Sequence, residues 1–372
     1  MPTIRILHIA RYRNKMLERK VDYMSQDAGF VFLRVRPNFY EDAYGSLTSQ
    51  LEKNHKNDTL FLSLIGKHID PHRVLYGSLT FSMVSFMPDI IHAEDEPDSL
   101  ATLHVLFVRR LFAPKAKLIL HTWQNINRKK RALVQWLTNS ALHASTAILS
   151  SNVKGVNVLR EMGFKGLIEI VPPEGIDTEL FKPPVTRKQN VKFTIFYAGR
   201  FAEEKGLDTF LEAMSHITRE ASLILVGEGP LKHTLIERGS RLQINEHVQF
   251  LSPVTQDRMP NLYAQADVPV LPSRETSVWK EQYGRFLLEA MARRVPVIGS
   301  DSGAIPEVVG DCGLLFQENN AGELTNCLRR LIDSPEFCME LGEKGYKRAN
   351  VLFSQSEIAH KTAQFYLKVA AL

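Results

Sequence analysis

Short apolar runs alternate with longer stretches whose apolar residues recur every three or four positions. The runs Ile4–Ile9, Phe30–Val35, Thr59–Leu64, Asp89–His92, Lys117–His121, Ala147–Ser150 and Ile168–Val171 read as strands. Most are continuous rather than alternating, the pattern of a parallel sheet covered on both faces. Amphipathic segments such as Arg131–His143 and Val153–Met162 lie between them and read as helices. The proline-rich stretch "VPPEGIDTELFKPPVTRKQN" interrupts this rhythm. It restarts with strands at Thr194–Ala198, Leu223–Val226, Val248–Leu251, Val268–Leu271 and Val297–Ser300. Helices are expected at Leu207–Ile217, Leu231–Arg238 and Phe286–Arg293, and a last one at Ser356–Ala371. The pattern predicts two Rossmann-like, doubly wound α/β domains, residues 1–175 and 191–355. A linker over 176–190 joins them, and a C-terminal helix covers 356–372. Two such domains facing across a cleft would bind a ligand at the carboxyl ends of their strands.

Length agrees with two domains, since 372 residues exceed what one hydrophobic core usually organises. Neither a signal peptide nor an apolar run long enough to span a bilayer is read from the sequence. Cys312, Cys327 and Cys338 have no metal-ligand spacing, which predicts a reducing, cytoplasmic setting without a structural zinc or disulfide. Residues 1–185 hold 24 Lys and Arg against 18 Asp and Glu, and the remainder holds 22 against 23. The excess of basic residues in the first half is either a solvated face or a surface for an anionic membrane or acceptor. No nucleic-acid recognition module is recognisable, and nucleic acid is not expected as a partner.

Chemistry concentrates in loops. In "YAGRFAEEKGLDTF", Gly199, Arg200, Lys205 and Gly206 connect a strand to a helix. Two cations there suit a pyrophosphate; the alternative is a surface loop in which they pair with Glu203 and Glu204. Gly227 and Gly229 in "LILVGEGP" form either a backbone-lined pocket or a tight turn. In "EQYGRFLLEA", Gly284 opens a helix between Glu281 and Glu289. A helix start attracts phosphate, while the two acids would accept hydrogen bonds from sugar and ribose diols. The alternative leaves Glu281 solvated and pairs Glu289 with an arginine. "HAEDEPDS" brings Glu94, Asp95, Glu96 and Asp98 after a strand, as acceptor ligands, metal ligands or a solvated acidic loop. "NRKKRALVQWLTNSALH" sets Arg128, Lys129, Lys130 and Arg131 before an amphipathic helix. It reads either as an interfacial membrane helix or as an ordinary domain helix with Trp136 buried.

Taken with "GRFAEEKG" and "VGEGP", the run "EQYGRFLLEAMARRVPVIGSDSGAIPEVVGDCGLLF" resembles the retaining glycosyltransferases of family 4, which have the GT-B fold. Glu281 and Glu289 match that family's paired glutamates, and Pro296–Val308 matches the segment that follows them. The resemblance spans about Phe193 to Phe316. It implies transfer from a UDP- or GDP-linked sugar to a saccharide or glycolipid hydroxyl, with retention of configuration and without a metal or other cofactor. Arg200 and Lys205 would meet the donor diphosphate, Glu281 the sugar, Glu289 the ribose, and the amides near Phe286 and Leu287 the phosphate. His121, ending a first-domain strand, would sit beside the donor sugar. The family's glycine-rich loop after the first strand is "ARYRNK" here, where either Arg11 or Arg13 would replace amide donors with guanidinium or the donor would bind differently. A glycine usual before the "x-P-V" segment is Arg294, and the boundary motif reads "PEGID". Alternatives are a GT-B epimerase or hydrolase, or a catalytically silent binding subunit. The expected place is the cytoplasm, peripheral on the inner face of the membrane.

Overall fold

The computed structural model describes residues 3–12, 15–27, 29–42, 45–48, 58–66, 71–184 and 192–372. It divides into two compact units, Met1–Gly175 with Gln355–Leu372, and Ile176–Ser354.

The first unit runs β1 (Ile4–Ile9), α1 (Lys15–Met24), β2 (Phe30–Pro37), β3 (Phe39–Asp42), β4 (Gly45–Thr48), β5 (Thr59–Leu62), β6 (Leu64–Gly66), β7 (Val74–Tyr76) and α2 (Leu79–Phe86). It continues through β8 (Ile90–Ala93), α3 (Leu100–Phe112), β9 (Lys117–Thr122), α4 (Ala132–Ala144), β10 (Ala147–Ser150), α5 (Val153–Glu161) and β11 (Leu167–Ile170). Seven strands form a parallel sheet in the order β11-β10-β9-β8-β1-β2-β5. Successive side chains of one strand enter different cores, as the period of two requires. Leu118 and Leu120 of β9 join Met83, Val105 and Leu142 from α2, α3 and α4. Ile119 joins Val21 of α1 and Phe365 of the C-terminal helix on the other face. Continuous apolar strands therefore follow from a sheet buried on both sides.

The second unit contains β12 (Phe193–Ala198), α6 (Leu207–Ser215), β13 (Ala221–Val226), α7 (Lys232–Arg241), β14 (Val248–Leu251), α8 (Met259–Tyr263) and β15 (Val268–Leu271). After these come α9 (Arg285–Met291), β16 (Ile298–Ser300), α10 (Ile305–Val309), β17 (Leu314–Phe316), α11 (Ala321–Ile332) and α12 (Pro335–Phe353). Its parallel sheet has the order β14-β13-β12-β15-β16-β17. Residues 176–184 of the stretch read as a linker pack on this unit: Phe181 is fully buried and Arg293 donates to the Lys182 carbonyl at 2.8 Å. The chain then returns, and α13 (Gln355–Ala371) covers the first unit's sheet.

Arg294 sits at φ +59°, the left-handed position that normally follows a helix as glycine. The amides of Arg294 and Val295 donate to the carbonyls of Met291 and Ala290 at 3.0 and 3.1 Å, closing the end of α9. The turn is thus formed without its usual glycine, with the arginine held by Glu343 at 2.8 Å and stacked over Tyr346. Among the described residues, no helix is long and apolar enough to cross a membrane.

Candidate active site

Each parallel sheet has one place where the strand order reverses, and the loops leaving its two strands diverge to make a crevice. In the second unit that place is between β12 and β15. The loop after β12 carries Arg200 and Lys205, and the loop after β15 carries Ser273 and Glu281. Residues separated by 76 positions therefore meet: Lys205 Nζ donates to Glu281 Oε2 at 2.8 Å. Ser273 Oγ donates to the same oxygen at 2.9 Å. The ammonium also lies 4.1 Å from the centre of the Trp279 ring.

Backbone contacts fix the main chain of Glu281. The Ala304 amide donates to the Glu281 carbonyl at 2.9 Å. Gly303 lies so close that a Cβ there would stand 2.1 Å from that carbonyl oxygen, and its φ of +56° also favours glycine. Burial raises the Glu281 pKa, but the Lys205 charge and the hydrogen bonds from Lys205, Ser273 and Gln282 prevail and hold it below the ordinary value. The pairing of Lys205 with Glu203 or Glu204 is not what forms. Arg200 and Gly199 are exposed on the same loop.

Gly284 is at φ +70° and opens α9 at the residue the sequence suggested. Glu289 lies within that helix, buried, and accepts from Gln256 at 2.6 Å, Arg285 at 2.9 Å and Tyr263 at 3.0 Å. The arginine partner weighed as the alternative is present, alongside two neutral donors that the spacing did not suggest. The Leu287 amide donates to the Gly284 carbonyl at 3.0 Å, so it is already used in closing the first turn. Phe286 packs its ring against Phe196, Tyr197 and Tyr263. Gly227 approaches the neighbouring loop closely, since a Cβ there would lie 1.9 Å from the Gly199 carbonyl oxygen. The "VGEGP" turn thus supports the Gly199–Arg200 loop.

The first unit's corresponding crevice lies between β1 and β8, and its own side chains fill it. Tyr12 donates to Glu94 at 2.7 Å, and Arg11 pairs with Asp95 at 2.8 Å. Glu94 also receives Lys20 and His8. Burial pushes the Glu94 pKa up, but the Lys20 charge and the His8 hydrogen bond outweigh it and leave it well below the usual range. Glu96 accepts from Thr122 and from the Trp123 amide, and burial raises its pKa nonetheless. A solvated acidic loop is therefore excluded: Asp95 is buried, the Glu94 side chain is only 6% exposed, and both are paired. Arg11 is paired with Asp95. Arg13 lies outside the described residues.

His8, His92 and Glu94 bring ligand-type atoms within 4.8 Å of one another. Both nitrogens of His8 are engaged, by Glu94 and by Arg36, and the Lys20 ammonium already answers the carboxylate. These donors do not fit a divalent ion. His121 is fully buried, with Nε2 donating to the Val171 carbonyl at 2.7 Å and Nδ1 without a hydrogen-bond partner among the described residues. Burial, aided by the Lys20 charge, lowers its pKa to about 4, so it is neutral near pH 7.

At the start of α4, Arg128, Lys129 and Arg131 are exposed, whereas Lys130 turns inward to Asp98 at 3.2 Å. Trp136 is 63% exposed, contrary to the reading that buries it.

Residues 178–348 match the model of the family described as glycosyl transferases group 1. That span lies within the second unit. The chain is 33% identical over 210 residues to the MMP alpha-(1->4)-mannosyltransferase of Mycolicibacterium hassiacum, covering 54% of this chain and 48% of that protein. It is 30% identical over 213 residues to a GDP-mannose-dependent alpha-(1-6)-phosphatidylinositol monomannoside mannosyltransferase of Mycobacterium tuberculosis, covering 53% of this chain and 55% of that protein. The chain thus spans about half the length of these curated relatives. Solved structures extend the likeness to the whole fold. Sucrose-phosphate synthase from Thermosynechococcus elongatus superposes with a TM-score of 0.75 at 20% identity, over 99% of each chain. Anabaena HepE, solved with UDP, gives 0.76 at 17% identity over 98% of this chain and 100% of that one. The fold is GT-B. Within the group 1 domain, the Lys205–Ser273–Glu281 cluster lies in the matched span; Ser273, Trp279, Tyr263 and Gln256 had no signal in the sequence, because the fold alone brings them to the two glutamates.

Proposed function

We propose that the chain is a retaining, metal-independent glycosyltransferase. It moves a sugar from a nucleoside diphosphate to a hydroxyl of a saccharide or lipid-linked acceptor, on the cytoplasmic side of a membrane. The observation that carries this reading is the Lys205–Glu281 pair, built on two loops that diverge from one crevice. With donor bound, Lys205 turns part of its charge from Glu281 to the diphosphate, and the exposed Arg200 meets the same phosphates. Glu281, kept ionised, accepts hydrogen bonds from the sugar hydroxyls. Glu289 accepts from the ribose in place of one of its present donors. The bond from the anomeric carbon to the phosphate oxygen breaks, and its electron pair leaves with the nucleoside diphosphate. The acceptor hydroxyl then attacks from the same face and gives its proton to that phosphate. Positive charge from Arg200 and Lys205 supplies the stabilisation that a metal gives elsewhere.

The M. tuberculosis relative is named for GDP-mannose and HepE was solved with UDP, so both bases are candidates here. A thermal-shift panel of UDP-, GDP- and ADP-sugars identifies the donor, because a ligand of the native state raises its melting point. With that donor and an acceptor, product formation is expected to persist in EDTA. Loss in EDTA with rescue by magnesium or manganese overturns the metal-free reading. Nucleoside diphosphate released equally well without acceptor favours an epimerase or hydrolase, and binding without turnover favours a silent subunit.

A further inference from the structure

We propose that the outer face of α2, α3 and α4 is a docking surface for an anionic lipid bilayer. The three helices lie side by side on one face of the first unit's sheet, through the core shared by Met83, Val105 and Leu142. Each turns a second set of apolar side chains outward. On α3 the buried positions are Ala101, Val105 and Val108, while Phe107 and Leu111 are 64% and 56% exposed. On α4 the exposed pair is Leu133 and Trp136, at 68% and 63%. On α2, Phe81 and Val84 are 67% and 54% exposed. Isolated surface apolar residues are ordinary, but a helical layer apolar on both sides marks an interaction surface.

Charge selects the occupant. Residues 99–160 contain ten Lys and Arg and no Asp or Glu. Arg110, Lys129 and Arg131 are exposed on this face or at its edge. Arg131 is the N-cap of α4 and Lys129 stands just before it. Cations at that end oppose the helix dipole, so their placement serves something other than the helix. A second copy paired through the same face would bring two basic clusters together, and like charges would oppose it. An anionic bilayer satisfies both features: headgroups meet the basic residues, and the aromatic and aliphatic side chains enter the boundary with the acyl chains. The surface stands independently of the proposed transfer; that it brings the enzyme to a lipid-linked acceptor rests on that reading.

The test is partition of the full chain onto vesicles of phosphatidylcholine with phosphatidylglycerol, and onto phosphatidylcholine alone. Partition is expected with the anionic vesicles, and it falls as salt rises. The Arg110→Gln/Lys129→Gln/Arg131→Gln variant is expected to lose on the order of a hundredfold in partition coefficient, three basic residues at about 1 kcal/mol each. Phe107→Ser/Trp136→Ser is expected to lose the salt-resistant part. The fluorescence blue shift on binding should be missing in Trp136→Phe. Absence of partition, or partition that ignores both the charge and the apolar variants, overturns the proposal. So does self-association of the wild type that the Phe107→Ser/Trp136→Ser variant abolishes. Circular dichroism and a cooperative thermal transition matching the wild type serve as the folding control for each variant; absence of nucleoside diphosphate binding in the wild type would count against the proposed function and leave the lipid surface standing.

Discussion

Glu281 is at once a partner of Lys205 and, in the proposal, a ligand of the sugar. Removing it has two opposed effects. Glu281→Ala takes acceptors from the sugar hydroxyls, which weakens donor binding and turnover by about tenfold or more, since a hydrogen bond to a charged acceptor is worth roughly 1.5–3 kcal/mol. The same change frees Lys205 for the diphosphate, so affinity for the nucleoside diphosphate alone should hold or rise. Glu289→Ala should weaken nucleoside diphosphate and donor alike, because both carry the ribose. It also strips Gln256, Arg285 and the buried Tyr263 of a shared acceptor, so Glu289→Gln is the better-folded comparison. Calorimetric titration of each variant with nucleoside diphosphate and with intact donor separates the roles. Parallel losses of both ligands in the Glu281 and Glu289 variants would contradict the division of labour.

At the level of elements, the ends of β1, β8 and β9 meet in a buried cluster of His8, His92 and His121. Burial, the largest cause in each case, lowers all three pKa values, to about 3 for His8 and about 4 for His121. The folded state therefore holds these rings neutral while the unfolded chain titrates them near 6.5. Their contribution to stability is complete above the unfolded value and is lost as pH falls toward the folded values. Urea unfolding between about pH 7 and about pH 5 should show stability falling as the pH falls. A flat profile in that window would show that the rings accept protons in the folded state. None of this cluster was legible as such, because Lys20, Tyr366 and the three histidines are joined by topology rather than by spacing. What was legible had local causes. The strands declared themselves by continuous apolar runs, and α9 by Gly284 at its start. β17 was missed because three residues, Leu314–Phe316, carry too little pattern. The paired glutamates were visible at their spacing of eight, whereas their donors Ser273, Gln256 and Tyr263 sit in other loops and helices.

At the scale of the whole molecule, the chain is not two beads in series. It leaves the first unit near Gly175, builds the second, and crosses back beside its exit, where the Ile176 amide donates to the Phe353 carbonyl at 2.7 Å. α13 then completes the first unit's core with Ile358, Phe365, Tyr366 and Val369. Tyr366 meets His92 at 2.6 Å, and Lys117 holds the helix end by donating to the carbonyls of Val369 and Ala370 at 2.9 and 2.8 Å. Burying four such side chains is worth on the order of 6–12 kcal/mol, comparable with the entire stability of a domain. Removing residues 355–372 should therefore unfold the first unit. The second unit keeps its whole sheet, both glutamates, Arg200 and Lys205 without that helix, so it should still bind nucleoside diphosphate. Limited proteolysis of the truncated chain is expected to spare a fragment beginning near Ile176, and calorimetry of that chain should return nearly the wild-type nucleoside diphosphate affinity with no glycosyl transfer. Loss of nucleotide binding together with the first unit would mean that the second unit's loops depend on its partner for their shape.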